Sequence, residues 1–491
     1  MAEVSKKQFI NGAVWKIIEQ FSTKGVSLLV SIVLTRLLSP SAYGLIALTV
    51  VFTNLSDILI DGGFSTALIS KKEVDDCDFS CVMIVSFSLA ILLYLLMFFG
   101  APYISEYYGE PQLVSILRVI GLVLFIQAFS AVRTAIVNRN MEFKLLFRCN
   151  FLGAVISGVI GIIAAYVGCD VWALVIQRLL QLTLSTVFLF SKLRWRIHFN
   201  FDFKRMKSIL SFSVGVVAAS LINYLSGSIY SLVVGKKYSV SDLGYSDKGA
   251  QLPQQASLYT FGAMSSVLLP TLSSYQSDLD KFKHIVRRVV QMTTYMITPM
   301  MVGLALVSRE LISLLFTEVW LPAVPIMQSY CLYYFATPFM LICVQVFFAL
   351  GHSSIRVKTE LIRMIMQVIA ILFFGIALGC SINQLAFICA IVAVLSSVVT
   401  FFEARRMIDY RIKELAADMI KPVIASSIMG IIVYVVEIII KRQFGICSNV
   451  ILLIAKIMMG VFSYYVFSVL LKIKGYYEIL SILKNMRKKN G

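Results

Sequence analysis

The chain has 491 residues, of which 59% are hydrophobic and only 14% charged, and its formal net charge is +18. A soluble domain is about 45–50% apolar and about 25% charged, so lipid is the expected solvent for most of this surface. That setting argues against nucleic-acid binding as the meaning of the charge, because basic membrane proteins carry their excess in cytoplasmic loops.

Lys6 and Lys7 precede an apolar stretch that continues to Leu38 without a small-residue cleavage site. It therefore reads as a first span and not as a removable signal. A bilayer-crossing helix needs about 20 mostly apolar residues. That window gives fourteen spans, at 12–37, 44–68, 80–103, 112–136, 150–168, 171–191, 208–234, 250–272, 288–307, 323–350, 359–378, 383–402, 421–440 and 449–472. Pro299, Pro322, Pro325 and Pro338 interrupt the ninth and tenth. The longest connection, 192–207, alternates Trp195, Ile197, Phe199, Phe201 and Phe203 with polar residues, a period-two pattern suited to an extended tether in the headgroup interface.

With the N-terminus in the cytoplasm, the inward connections collect thirty-one lysines and arginines and the outward ones seven. Cytoplasmic loops carry the positive excess, so both termini are expected inside. The expected organisation is an N-terminal lobe over 1–195, a basic linker over 196–207 and a C-terminal lobe over 208–402. A last pair of spans with a basic tail follows over 403–491. The two lobes repeat weakly. Ser39, Ser41 and Gly44 recur at an offset of 200 as Ser239, Ser241 and Gly244, and Gly168-Cys169 after the fifth span matches Gly379-Cys380 after the eleventh. Six spans per lobe makes the repeats parallel.

Charged side chains at membrane depth cost at least about 2.5–3.5 kcal/mol each and default to functional hypotheses. In the first span Lys16, Gln20, Thr23, Lys24, Ser27 and Ser31 fall within roughly a 100° arc. Lys24 lies deepest, beside an expected water-filled or ligand-filled cavity; an ion pair with Glu19 or with a carboxylate of the second span is the structural alternative. The second span carries Asp57 and Asp61, candidates for coupling to a proton or Na⁺. The seventh span places Tyr224 on a polar stripe edged by Asn223. The eighth places Gln251, Gln254, Gln255 and Tyr259 on one face, and packing of small and amide residues competes with binding as their role. Arg118, Arg178 and Arg363 lie nearer helix ends, where pairing or snorkelling accounts for them.

Enzyme signatures are missing. His198, His284 and His352 all lie in cytoplasmic connections, no phosphate-binding glycine loop occurs, and the nine cysteines lack metal or disulfide spacing. No cofactor beyond a coupling ion is expected.

The run 34–44, Leu-Thr-Arg-Leu-Leu-Ser-Pro-Ser-Ala-Tyr-Gly, resembles the first outward turn of bacterial Wzx-type polysaccharide flippases. The run 61–69, Asp-Gly-Gly-Phe-Ser-Thr-Ala-Leu-Ile, Tyr245-Ser246-Asp247-Lys248 with Leu252-Pro253, and 267–273 are similar to theirs as well. The likeness spans about residues 8–410 and places the chain in the multidrug/oligosaccharidyl-lipid/polysaccharide (MOP) exporter superfamily. It implies an all-α membrane fold in which two six-helix bundles form a V around a central cavity, with two helices added. It also implies a glycan on undecaprenyl pyrophosphate as substrate, flipped across the bacterial cytoplasmic membrane. Glycosyltransferases and a polymerase would be its pathway partners. The tyrosine turn adds Lys248 to the expected binding set. A multidrug exporter, a flippase for the peptidoglycan precursor lipid II and a glycan polymerase are the rival readings. A cavity dominated by Lys24 disfavours cationic drugs, and the lack of a large external loop disfavours a polymerase.

Overall fold

In a computed structural model, residues 6–64, 67–68, 74–140, 142–193, 202–444 and 449–481 are described, and among them there are helices and no strand. The alternating segment from Trp195 to Phe201 lies outside the described residues. Most predicted spans fall on one helix; 112–136 covers two, and 44–68 runs past the end of its helix at Asp61. The helices are α1 (Lys6–Leu37), α2 (Pro40–Asp61), α3 (Asp76–Tyr108), α4 (Gln112–Ile120), α5 (Val123–Arg139), α6 (Phe143–Tyr166), α7 (Val171–Lys192) and α8 (Phe203–Lys237). They continue with α9 (Val240–Ser274), α10 (Leu279–Leu306), α11 (Ser308–Leu315), α12 (Ala323–Ala349), α13 (Ser353–Ala370), α14 (Ile382–Ile408), α15 (Ile412–Phe444) and α16 (Asn449–Leu470). A π-helical turn, Ile371–Ala377, extends α13.

Twelve helical segments among the described residues are long and apolar enough to cross a membrane; α4 and α5 together make one of them. Helices α1 and α9 have the length as well, 32 and 35 residues, and carry the polar faces read from the sequence. Leu96, Phe99, Val461 and Phe462 are 62–67% exposed, an arrangement that water penalises and hydrocarbon does not.

Local chemistry sets the helix ends. Ser39 accepts from the Ala42 amide at 3.3 Å with Pro40 following, a cap that satisfies one of the orphan donors of the first turn. Gly62, at φ 53°, closes α2 in the left-handed region. Ser381 and Gln384 form a capping box for α14. The prolines do not divide the ninth and tenth spans: α10 runs through Pro299 and α12 through Pro338. Pro325 falls in the first turn of α12, where no intrahelical donor is required.

Two compact units emerge, Met1–Gly244 and Tyr245–Gly491. The division follows α8, whereas the sequence-based lobes meet at 196–207. The difference is α8, which the Tyr224 hydroxyl ties to the carbonyls of Val50 and Val51 in α2, each at 3.2 Å. In the first unit, α6 packs between α1 and α7. A Cβ on Gly158 would collide with Val30 of α1, and one on Gly153 with Ser185 of α7, so small residues let these helices approach as membrane helices commonly do.

The second unit packs α10, α12, α14 and α15 around Phe282, Ile342, Val346 and Tyr410. Helices α15 and α16 are fixed to α10 by polar bonds: the Tyr464 hydroxyl donates to the Tyr295 carbonyl at 2.8 Å, and Arg287 pairs with Asp418 at 2.7 Å and Glu414 at 3.1 Å.

Candidate substrate and ion-coupling residues

The first unit holds seven of the sequence-predicted site residues. Lys24 lies past the middle of α1 with its side chain exposed, and Ser27, nearly one turn on, is half-buried. The Gln20 side chain lies outside what is described. Glu19 is turned onto α6, where it accepts from the Asn150 amide at 3.1 Å. It lines a cavity of about 250 Å³ whose wall mixes Ser130, Thr134, Asn138 and Ser185 with leucines.

Asp57 and Asp61 are both half-buried on α2. The charged groups acting on Asp57 are Asp61, one turn away, and Arg178 of α7. Asn223 is exposed on α8, while the adjacent Tyr224 spends its hydroxyl on α2.

The second unit holds the rest. Gln254 is exposed, Gln251 and Gln255 are half-buried, and Lys248 is buried with its ammonium donating to Gln251 Oε1 at 3.2 Å. Gln255 Oε1 is buried and has no hydrogen-bond partner among the described residues. Beside this face, the Ser257 hydroxyl donates to the Tyr334 carbonyl of α12 at 3.1 Å. Tyr330, Tyr333 and Tyr334 form a ring cluster with centroids 5.0–6.0 Å apart. Arg363 pairs with Glu360 and Arg118 lies over the Phe98 ring at 4.2 Å, local partnerships of the kind the sequence reading expects.

Sequence reasoning passes over the tyrosine cluster and Lys456. The Lys456 ammonium is buried on α16, 2.8 Å from Glu310 and 2.7 Å from Glu437, and it donates to the Leu306 carbonyl at 3.2 Å. A lysine inside an apolar run was the available signal; its acids lie too far along the chain for periodicity to connect them. Lys456 also borders an apolar cavity of about 690 Å³ between α9, α10, α15 and α16, lined by Leu252, Tyr295, Gly303, Met429 and Val461 among others.

The profile of a family described as polysaccharide biosynthesis protein matches residues 33–325. The succinoglycan biosynthesis transport protein ExoT of Rhizobium meliloti (strain 1021) is 23% identical over 327 residues, 66% of either chain. The teichuronic acid biosynthesis protein TuaB of Bacillus subtilis (strain 168) is 23% identical over 434 residues, 87% of this chain and 89% of that one. Among solved structures, the lipid II flippase MurJ in an inward closed conformation matches with a TM-score of 0.75 at 17% identity, covering 95% of this chain and 100% of that one. An inward-facing multidrug resistance MATE family transporter of the MOP superfamily matches with a TM-score of 0.63 at 16% identity, covering 79% and 94%. At these identities the structural likeness is one of fold.

Proposed function

The chain belongs to the polysaccharide biosynthesis protein family and has the fold of MOP-superfamily transporters, and from that premise we propose that it is a flippase for lipid-linked oligosaccharides. It carries an undecaprenyl-pyrophosphate-linked glycan across the bacterial cytoplasmic membrane. The proposed topology has fourteen spans, α1 and α9 included, with both termini in the cytoplasm. Glycosyltransferases supply its substrate and a polymerase receives its product.

The observation that carries this reading is Lys24, an exposed ammonium on the polar face of a 32-residue helix. Attraction between charges strengthens as water is excluded, so an ammonium at membrane depth suits a pyrophosphate and repels a cationic drug. Glycan hydroxyls need donors and acceptors along their path. The first unit offers such groups on Ser27 and Asn223 and the second on Gln251 and Gln254, where the buried Gln255 Oε1 awaits a donor. The apolar cavity beside α16 offers the prenyl tail a place out of water.

Transport proceeds by alternating access, with the site open to one membrane face at a time. Coupling uses Asp57 with Asp61. A carboxylate at membrane depth is a group that a proton or Na⁺ can neutralise in one state and release in the other.

A deletion strain should accumulate the lipid-linked glycan, and lipid extraction with mass spectrometry reads this directly. Accumulation of a lipid-linked peptidoglycan precursor instead would move the substrate; no accumulation of either would remove the flippase. Gly303→Phe tests the tail's place. A Cβ there meets nothing within 4 Å, so the ring fills the cavity without rebuilding the helices. Export should fall several-fold at unchanged membrane level, in proportion to the apolar surface left in water at about 25 cal/mol per Å². Unchanged export would place the tail elsewhere.

A further inference from the structure

A second cavity lies in the Tyr245–Gly491 unit, and none of the candidate site residues above lines it. It measures about 350 Å³ and is bounded by α10, α12, α14 and α15. Val290, Phe339, Ile342, Val398, Phe401 and Leu415 are typical of its wall. Three of these helices bring cations to this end, Lys283 and Arg287 on α10, Arg405 and Arg406 on α14 and Lys413 on α15, and the proposed topology puts it in the cytoplasmic leaflet. Its rim residues Val398, Phe402 and Ile412 are 41–46% exposed, so it opens sideways toward lipid.

Only three lining side chains are polar or charged: Ser397, Tyr410 and Arg405. The first two are satisfied, Ser397 by the Val394 carbonyl at 2.7 Å and Tyr410 by Asp418 at 2.8 Å. Apolar cavities do not hold water, so the wall calls for a hydrocarbon. Arg405 rests over the Phe402 ring at 5.3 Å and makes no ion pair with a described residue. Of the neighbouring cations, Arg406 pairs with Glu403, Lys283 with Glu414, and Arg287 with Glu414 and Asp418, and Arg411 and Lys413 do not line the cavity. One guanidinium thus stands at the mouth of an apolar slot.

We propose that this slot binds an anionic phospholipid of the bilayer, one acyl chain in the cavity and its singly charged headgroup on Arg405. Basic pockets between membrane helices on the cytoplasmic side are where such headgroups are held. A single lining cation matches a phosphodiester such as phosphatidylglycerol better than the more highly charged pyrophosphate carrier. The inference rests on the proposed reading only for which leaflet the slot faces.

Native mass spectrometry of the purified full-length protein, exchanged into mixed phosphatidylglycerol and phosphatidylcholine, tests it. The wild type should retain phosphatidylglycerol in preference. Arg405→Gln should weaken that retention about five-fold, equivalent to the ~1 kcal/mol of one cation at a membrane surface, and Arg405→Lys should restore most of it. Ser397→Phe should lower retention by filling the slot. Arg406→Gln, outside the slot, and Lys24→Ala should leave it unchanged, so loss of glycan export and loss of lipid binding are read separately. Equal retention of both lipids, an Arg405→Gln protein that binds like wild type, or displacement of phosphatidylglycerol by equimolar undecaprenyl phosphate would overturn the proposal.

Discussion

Replacing Lys24 with Ala is expected to reduce surface glycan by between about tenfold and about a hundredfold, with the protein still present in the membrane at its normal level. The range follows from a hydrogen bond to a charged group, worth about 1.5–3 kcal/mol. The protein level should hold because the side chain is exposed and its removal opens no cavity in the core. Lys24→Arg keeps the charge and should retain partial export, since the broader guanidinium changes the geometry and not the sign. Lys24→Glu should be as inactive as Ala or worse. Quantitative glycan staining beside an immunoblot of the membrane fraction separates transport from abundance. An Ala variant with full export would take this cation out of the mechanism and leave the α9 amide face to explain binding.

The helices were legible because the bilayer allows so few alternatives. Every backbone donor and acceptor must be satisfied within its own segment, so length and apolarity locate a span, and capping residues such as Ser39 and Ser381 locate its ends. The polar faces of α1 and α9 were legible for the same reason: a charge or an amide in an apolar run stands out. What those side chains touch was not. Tyr224 lies on the predicted stripe of α8, yet its hydroxyl bonds Val50 and Val51. Lys248 is buried, its ammonium on Gln251 of the same helix. Lys456 meets Glu310 across 146 positions of sequence. Periodicity reports which face of a helix a residue occupies, and long-range packing then decides what that face meets.

The offset-200 repeat shows how a faint sequence signal acquires physical content. The two cap turns behave alike: Ser39 accepts from the Ala42 amide at 3.3 Å and Ser239 from the Asp242 amide at 3.0 Å. The matched glycines meet one another's turns, and all the residues involved belong to the first unit. A Cβ on Gly44 would sit well under 3.0 Å from the Val240 carbonyl oxygen, and one on Gly244 equally close to that of Pro40. Glycine is required at both positions because backbone faces backbone, with no side chain that can turn aside.

Gly44→Ala and Gly244→Ala should therefore each destabilise the protein by at least the ~1–3 kcal/mol of ordinary overpacking, since here the main chain itself must move. Gly100→Ala is the control. Its Cβ meets nothing within 4 Å, and alanine favours a helix by about 1 kcal/mol over glycine, so that variant should be as stable as the parent or more so. The double variant should lose less than the sum of the singles, because the first methyl already parts the turns that the second would force open. Thermal unfolding in detergent, with the yield of folded protein from membranes, measures all four. Wild-type stability in both single variants would mean that α2 and α9 do not cross at these glycines, and the repeat would return to being a coincidence of turn residues.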